Sequence, residues 1–396
     1  MIRTFHPVGQ GAFYTEEFEN FSIVYDCGSS TGNNTLIIEK AVRSTFSEDQ
    51  VLDAVFISHL HMDHVNGLEF LLKHCNVRKL FLPLLSQNSK LNLFIQNSIL
   101  GYQSLFIEKL IFGNIDSILQ EFENLEIIYI PEITEENLEN NFDSDPISID
   151  DAKIADKIQQ KSKLMSSQAS NWVFIPFNFK AAQRSLELTT KLENLQKSPE
   201  NISIETVEDF TKHWLIESDR NKIIDTYKSV TGSMNTNSMT LYSGPNNGNN
   251  LEFYMNLIHP SNKFVGYCFD INIVGCIYFG DYVASGLHKW NQFKNFYGSY
   301  WDCVSTVQIP HHGSRHNYHP DINLLPKFSI ISAGYKNKYH HPHSSTIKQI
   351  LFYGGSPIVV NEYPGSFIVF EIYTYSLLNL RHFKIRKLKK LIANNS

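Results

Sequence analysis

The sequence predicts a layered α/β protein interrupted by a mainly helical insertion. Three textures carry that prediction. Residues 1–83 alternate strand-like with helix-like segments, the pattern of helices packed on the faces of a sheet. Residues 84–231 are rich in Lys, Gln, Glu, Ser and Asn, nearly free of Gly, and carry helix-length periodic runs. Residues 232–396 return to short apolar runs bounded by turns. The expected organisation is one domain built from 1–83 and 232–396, with 84–231 inserted into it.

Taken in order, "IRTFHPV" and "FSIVYDCGSS" read as strands with the tight "GQG" between them. "NTLIIEKAVRSTF" reads as a helix, and "LDAVFIS", β-branched and aromatic, as a buried strand. "HVNGLEFLLKHC" places Val65, Leu68, Leu71 and Leu72 at helical spacing, and "RKLFLP" is a strand closed by Pro83. In the insertion, "SIDDAKIADKIQQKSKLMSSQ" opens with Ser148 ahead of Asp150 and Asp151, which is N-capping chemistry for a helix. "AAQRSLELTTKLENLQK" reads as another helix, while "NWVFIPFNF" and "DFTKHWLI" carry aromatics that need burial. Strands resume at "NSMTLYSG" and continue through "KFVGYCFD", "IVGCIYFGD", "VSTVQIPHHGS", "FSIISAGY" and "SPIVVNEY", with "GPNNGNN" as a loop.

The 396 residues are 42% hydrophobic and 13% aromatic, enough for a core and too much for a disordered chain. A net charge of −6 provides no global cationic field, so any polyanion must be held locally. The basic end "RHFKIRKLKKLIANNS" is the exception. Five cysteines without CxxC spacing fit a reduced, intracellular setting. With no secretory leader and no run of about 18 apolar residues, the expectation is a cytoplasmic protein with no membrane contact.

Chemistry concentrates in "VFISHLHMDHVNG", Val55 to Gly67. His59 and His61 are two apart, so extended backbone sends both imidazoles off one face. Asp63 and His64 follow round the turn and can reach a neighbouring position. Nitrogen donors plus a carboxylate suit zinc, and manganese or iron as oxygen ligands are added. Two such ions about 3.5–4 Å apart can turn water into a nucleophile at neutral pH and bind both oxygens of a hydrolysed ester.

This HxHxDH spacing resembles the signature of the metallo-β-lactamase superfamily. The resemblance implies an αββα sandwich with two divalent metal ions, Zn²⁺ or Mn²⁺, at one edge of its sheets. It assigns His59 and His61 to one metal, Asp63 and His64 to the other, and Asp281 of "CIYFGD" to the bridging carboxylate. In "VQIPHHGS" it makes His311 the last metal ligand, with His312 beside it. The family's usual third histidine has no obvious counterpart, although His259 lies in the right interval. Fragments in order, "VGQGAFY", "VYDCGS", "NTNSMTLYSG", "YFGD", "PHHGS" and "SAGYKNKYHHPH", resemble the metallo-β-lactamase domain of ComEC-type DNA-uptake proteins and their soluble relatives over roughly 1–83 and 232–365. That branch lacks the third histidine and cleaves phosphodiesters, often in DNA. Ala12 stands where the branch has an acidic residue, and His340 where it has Gly.

A phosphodiester site also needs donors for the charge that develops on oxygen. His341 and His343 are the candidates for protonating the leaving group, with Asp63 in the catalytic set. His312, Ser314 and Asn337 are candidate substrate contacts, Arg315, Lys336 and Lys338 candidate phosphate contacts, and Asp26 a brace behind the metal loop. The leading expectation is a two-metal nuclease acting on DNA, with a role as the effector of a bacterial defence or DNA-processing complex that the insertion recruits. The alternative is a hydrolase of a cyclic or small nucleotide, a thioester or a lactone, with the insertion as lid or partner platform.

Overall fold

Strand alternation sorts the side chains of this chain into layers. The computed structural model describes residues 1–32, 34–102, 104–113, 115–133, 145–152, 162–169, 171–179, 182–198, 201–230, 238–246, 253–259, 262–265 and 273–374. The chain opens with β1 (Ile2–Phe5), β2 (Gly11–Glu17) and β3 (Ser22–Ser29), then α1 (Asn34–Thr45), β4 (Val51–Leu52), β5 (Ala54–Phe56), α2 (Met62–Val65), α3 (Leu68–His74), β6 (Asn76–Val77) and β7 (Lys79–Pro83). Next come α4 (Gln87–Ile99), α5 (Leu105–Phe112), α6 (Ile115–Glu121), β8 (Glu126–Ile130), β9 (Ile147–Ser148), β10 (Leu164–Met165), β11 (Trp172–Phe177), α7 (Ala182–Gln196), α8 (Val207–Trp214) and α9 (Glu217–Ser229). The last third holds β12 (Thr240–Pro245), β13 (Phe253–His259), β14 (Asn262–Val265), β15 (Gly275–Tyr278), α10 (Leu287–Tyr297), β16 (Val304–Gln308), β17 (Phe328–Ser332), α11 (Ser344–Phe352), β18 (Ser356–Val360) and β19 (Ile368–Thr374).

Two large sheets result, in the orders β14-β13-β19-β1-β2-β3-β5-β7-β8 and β18-β17-β16-β15-β12-β11-β10-β9. Tyr25, Phe56, Phe81 and Ile128 of the first sheet face Phe174, Leu241, Tyr278 and Ile330 of the second. The neighbouring Val24, Val55, Leu80 and Ile127 turn outward against Ile38, Val42, Leu68 and Leu71 of α1 and α3. On the other side Val173, Ile277 and Val307 turn outward against Trp290, Phe293 and Phe296 of α10. The period-two alternation therefore gives helix, sheet, sheet and helix layers. Between the sheets, buried Arg3 Nε donates to Glu16 Oε1 at 2.7 Å, and Tyr278 Oη donates to the same carboxylate oxygen at 2.8 Å. This pairing lets a charge sit inside the core.

Residues 84–231 carry α4–α9, but they are not all helix. β8 adds an edge strand to the first sheet, and β9–β11 extend the second. The run "WVFIPF" is buried throughout and pairs antiparallel with β12, Phe177 opposite Thr240. Short, wholly apolar runs favour burial on both faces of a sheet, and that outweighs the polar texture around them. Of the helix expected from Ser148, residues 153–161 lie outside the described residues. Its described ends instead pair as the parallel strands β9 and β10. The basic run 381–396 is also outside the described residues. Helices α7, α8 and α9 share a small separate core with α4, formed by Ile95, Leu188, Leu192, Phe210 and Ile223. Among the described residues, no helix is long and apolar enough to cross a membrane.

Candidate metal centre

The parallel strands β3, β5, β15, β16 and β17 deliver the polar residues, because loops at the carboxyl ends of parallel strands lie on a common edge. β5 runs into Ser58, His59, His61 and α2, β15 into Asp281, β16 into His311 and His312, and β17 into the loop holding His341 and His343. Glycines allow the close approaches. A Cβ on Gly28 would stand 2.6 Å from the backbone of Asp63 and His64, and Gly280, at φ +54°, packs against Ser58 and Ser238.

Asp281 is the hub. Its Oδ1 lies 3.2 Å from His64 Nε2 and 3.9 Å from His312 Nε2. Its Oδ2 lies 3.7 Å from both His59 Nε2 and His311 Nε2. His61 Nδ1 is 3.1 Å from His59 Nε2, and Asp63 Oδ2 is 3.2 Å from His312 Nε2. Three overlapping triplets, His59–Asp63–His64, His59–His61–Asp281 and His64–Asp281–His312, each bring their ligand atoms within 4.8 Å of one another. Donors around one tetrahedral zinc, at about 2.0–2.1 Å, sit about 3.3 Å apart. The spacing therefore fits divalent cations. His64 Nε2 is buried and faces Asp281 Oδ1 at 3.2 Å without a well-aligned hydrogen bond, a state that a cation at this point would relieve.

The outer ring nitrogens are tied back. His64 Nδ1 donates to Asp26 Oδ2 at 2.7 Å. Ser58 Oγ donates to the same oxygen at 2.7 Å, which leaves Oγ to accept from His59 Nδ1 at 2.9 Å. His312 Nδ1 donates to the Ser332 carbonyl at 2.8 Å, and His311 Nδ1 to Asn317 Oδ1 at 3.0 Å. Each tether fixes a tautomer whose Nε2 lone pair points inward, as metal-binding imidazoles require. Asp26 reaches the loop from a β-bulge, where it adopts φ +57° between Tyr25 and Cys27.

Charges follow the same plan. Burial favours neutral carboxyl groups, but His64 and a hydrogen bond from His312 hold Asp63 well below the usual carboxylate range. His311 and His64 do the same for Asp281. Burial disfavours charge on His64 as well, yet Asp26, Asp281 and Asp63 raise it well above an ordinary imidazole. Burial with His64 and His61 alongside lowers His59, and burial lowers His61.

Further out, the His341 ring lies edge-on to the His311 ring at 5.6 Å and near-parallel to the His312 ring at 6.3 Å, and His343 lies 4.9 Å beyond it. Burial, with His312 and His311 adding to it, pushes His341 down to about 3. Ser314 is buried, and its Oγ accepts from the His316 amide. Asn337 is engaged inside its own loop, donating to the Gly334 and His341 carbonyls and accepting from the His341 amide. The backbone of His259 pairs with Asn262 at the far edge of the first sheet, and its side chain lies outside the described residues. Sequence reasoning overlooked Ser58, Asn317, Ser332 and also Gln308, whose Oε1 accepts from the Phe279 and Gly280 amides to hold the Asp281 turn. The only local signal was their place beside the motif residues.

Residues 12–91, from β2 into α4, match the family model described as the metallo-beta-lactamase superfamily. That span contains Asp26, His59, His61, Asp63 and His64, while Asp281, His311 and His312 fall outside it. Comparison with curated proteins finds no match.

Proposed function

Taking the metallo-beta-lactamase superfamily domain at residues 12–91 as premise, we propose that the chain is a two-metal phosphodiesterase acting on nucleic acid, with DNA as its substrate. One observation carries this reading: the two oxygens of Asp281 face two different groups of donors. A pair of divalent ions held there, zinc or manganese, would acidify water and neutralise charge on the ester oxygens. His59, His61, Asp63, His64, Asp281 and the His311–His312 pair would hold them. A shared carboxylate lowers the repulsion between two cations, and the tethers through Asp26, Ser58, Asn317 and Ser332 keep the donors aimed.

The mouth suits a phosphate chain. Arg315, Lys336 and Lys338 are exposed there, with exposed Tyr335, Tyr339 and Tyr363. Cations and aromatic rings are what an unpaired strand needs. His341 is neutral in the free protein. The negative charge of a bound phosphodiester works the other way, and would let the ring take up a proton from solvent and pass it to the leaving oxygen. The resemblance of "VGQG", "PHHGS" and "HPH" to DNA-uptake relatives supports DNA over smaller esters.

A second reading keeps the metals and changes the substrate to a small nucleotide, thioester or lactone. It is favoured by Tyr102, between α4 and α5. This phenol is raised by burial and by the charge of Asp63, with Tyr339 and Lys338 also in electrostatic reach, which brings the helical stretch near the site.

The test is hydrolysis by metal-free protein reloaded with Zn²⁺, Mn²⁺ or Mg²⁺. Plasmid, single-stranded oligonucleotide, cyclic dinucleotide, thioester and lactam are assayed side by side. We expect DNA cleavage with Zn²⁺ or Mn²⁺, and Asp63→Ala to lower it by roughly 100-fold or more while remaining folded. Turnover confined to thioester or lactam would overturn the phosphodiesterase reading, and turnover confined to the cyclic dinucleotide would favour the smaller substrate.

A further inference from the structure

The turn after β16 places two histidines side by side, and their ring nitrogens address different oxygens of one carboxylate. His311 Nε2 lies 3.7 Å from Asp281 Oδ2, the oxygen that His59 Nε2 also approaches at 3.7 Å. His312 Nε2 lies 3.9 Å from Asp281 Oδ1 and 3.2 Å from Asp63 Oδ2, on the side of His64. We infer that the two neighbours serve different cations: His311 completes the set built on His59 and His61, and His312 completes the set built on Asp63 and His64. This rests on the two-cation reading above.

The backbone explains how adjacent residues can divide in this way. His311 and His312 are both left-handed, at φ +48° and +55°, and Gly313 follows at φ +82°. Such angles are unfavourable for non-glycine residues and persist only where the surroundings impose them. Here the His311 amide donates to the Gly280 carbonyl at 3.0 Å, next to Asp281. Gly313 packs so close to Pro342 that a Cβ would stand 2.6 Å from the proline ring. The two rings are consequently turned 75° from each other with centroids 5.8 Å apart. The turn leaves the two rings facing different oxygens of Asp281.

The tethers agree. Asn317 accepts from His311 Nδ1 at 3.0 Å, and its Nδ2 donates to the Asp281 carbonyl at 3.0 Å. It therefore ties the His311 ring to the backbone at Asp281. His312 has its own tether, the Ser332 carbonyl at the end of β17. Two separately braced imidazoles on one turn are the arrangement that two coordination sets require.

The division is read by metal stoichiometry. Metal-free protein is titrated with Zn²⁺ by calorimetry and with Co²⁺ by its ligand-field absorption. The parent should bind two ions. Asn tolerates left-handed backbone, so His311→Asn and His312→Asn remove each ring and spare the turn, and each should retain one ion. The double variants decide the grouping. His59→Ala with His311→Asn should still bind one ion, since both residues belong to one set. His64→Ala with His311→Asn should bind none. Asn317→Ala, which removes only a positioning residue, should weaken one ion by about 10–100-fold and leave the other. Near-UV circular dichroism of each metal-free variant reports the fold. Two ions bound with parental affinity by His311→Asn, or no ion bound by folded His59→Ala/His311→Asn, would overturn the division. A parent that binds a single ion would instead overturn the two-cation reading itself.

Discussion

Ser58 carries no charge and is not among the grouped metal donors, yet its hydroxyl reaches Asp26 at 2.7 Å, His59 at 2.9 Å and His64 at 3.3 Å. It fixes the tautomer of His59 and the orientation of the aspartate behind His64. Ser58→Ala should leave the fold intact and lower metal affinity by about 10–100-fold, measured by competition with a chromophoric chelator. Unchanged affinity would mean that the backbone alone aims these rings. His6 makes a prediction of another kind. It is buried against Thr15 and Thr45 through hydrogen bonds at 2.9 and 3.3 Å, and burial lowers it to about 3. The folded state then holds a neutral ring that the unfolded state protonates below about 6.5. Its contribution to stability is complete above pH 6.5 and is lost progressively as pH falls toward 3. Denaturant midpoints measured across that window should fall more steeply for the parent than for His6→Asn, and parallel profiles would clear His6 of the effect.

Elements meet at this site through glycine. β2, β3 and α2 approach so closely that a Cβ on Gly28 would stand 2.6 Å from the Asp63 carbonyl carbon and the His64 nitrogen, which are backbone atoms with no rotamer to yield. Gly28→Ala must therefore push the metal loop off the sheet. We expect destabilisation of about 1–3 kcal/mol or more together with loss of bound metal, followed by thermal melting and metal content. A variant that melts and binds zinc like the parent would show that α2 can shift without cost. The same contact explains why the bulge at Asp26 matters. One residue more in β3 than in its partner turns a carboxylate that regular alternation would aim elsewhere toward Ser58 and His64.

For the molecule as a whole, the question is what may be removed. β11 contributes Trp172 and Phe174 to the core between the sheets, while α7–α9 share their own cluster with α4. Because Phe177 already lies opposite Thr240, a short glycine-containing turn can replace residues 180–237, with Ile95→Gln covering the face that α4 would expose. This shortened chain should fold cooperatively and keep its metal. Extending the deletion back to 172 should abolish both, because two aromatic side chains would leave the shared core. Near-UV circular dichroism and zinc content distinguish the outcomes, and collapse of the shorter deletion would show that the helices are integral to the sandwich.

Much of this was written in local pattern. Short runs rich in apolar, β-branched and aromatic residues marked "FSIVYDCGSS" and "LDAVFIS" as strands, and strand geometry alone placed His59 and His61 on one face, because side-chain direction along a strand depends only on neighbouring residues. The apolar run "WVFIPF" was visible as something to be buried, but not as a member of the second sheet, since its pairing with β12 is made by residues far along the chain, Thr240 opposite Phe177 and Pro245 opposite Trp172. Tertiary structure alone decided which oxygen of Asp281 each imidazole faces, that Ser58, Asn317 and Ser332 hold the rings, and that His311 and His312 point apart. Ligand chemistry is a property of residue type and can be read along the chain. Convergence depends on loops distant in sequence sharing one sheet edge, and only packing brings them there.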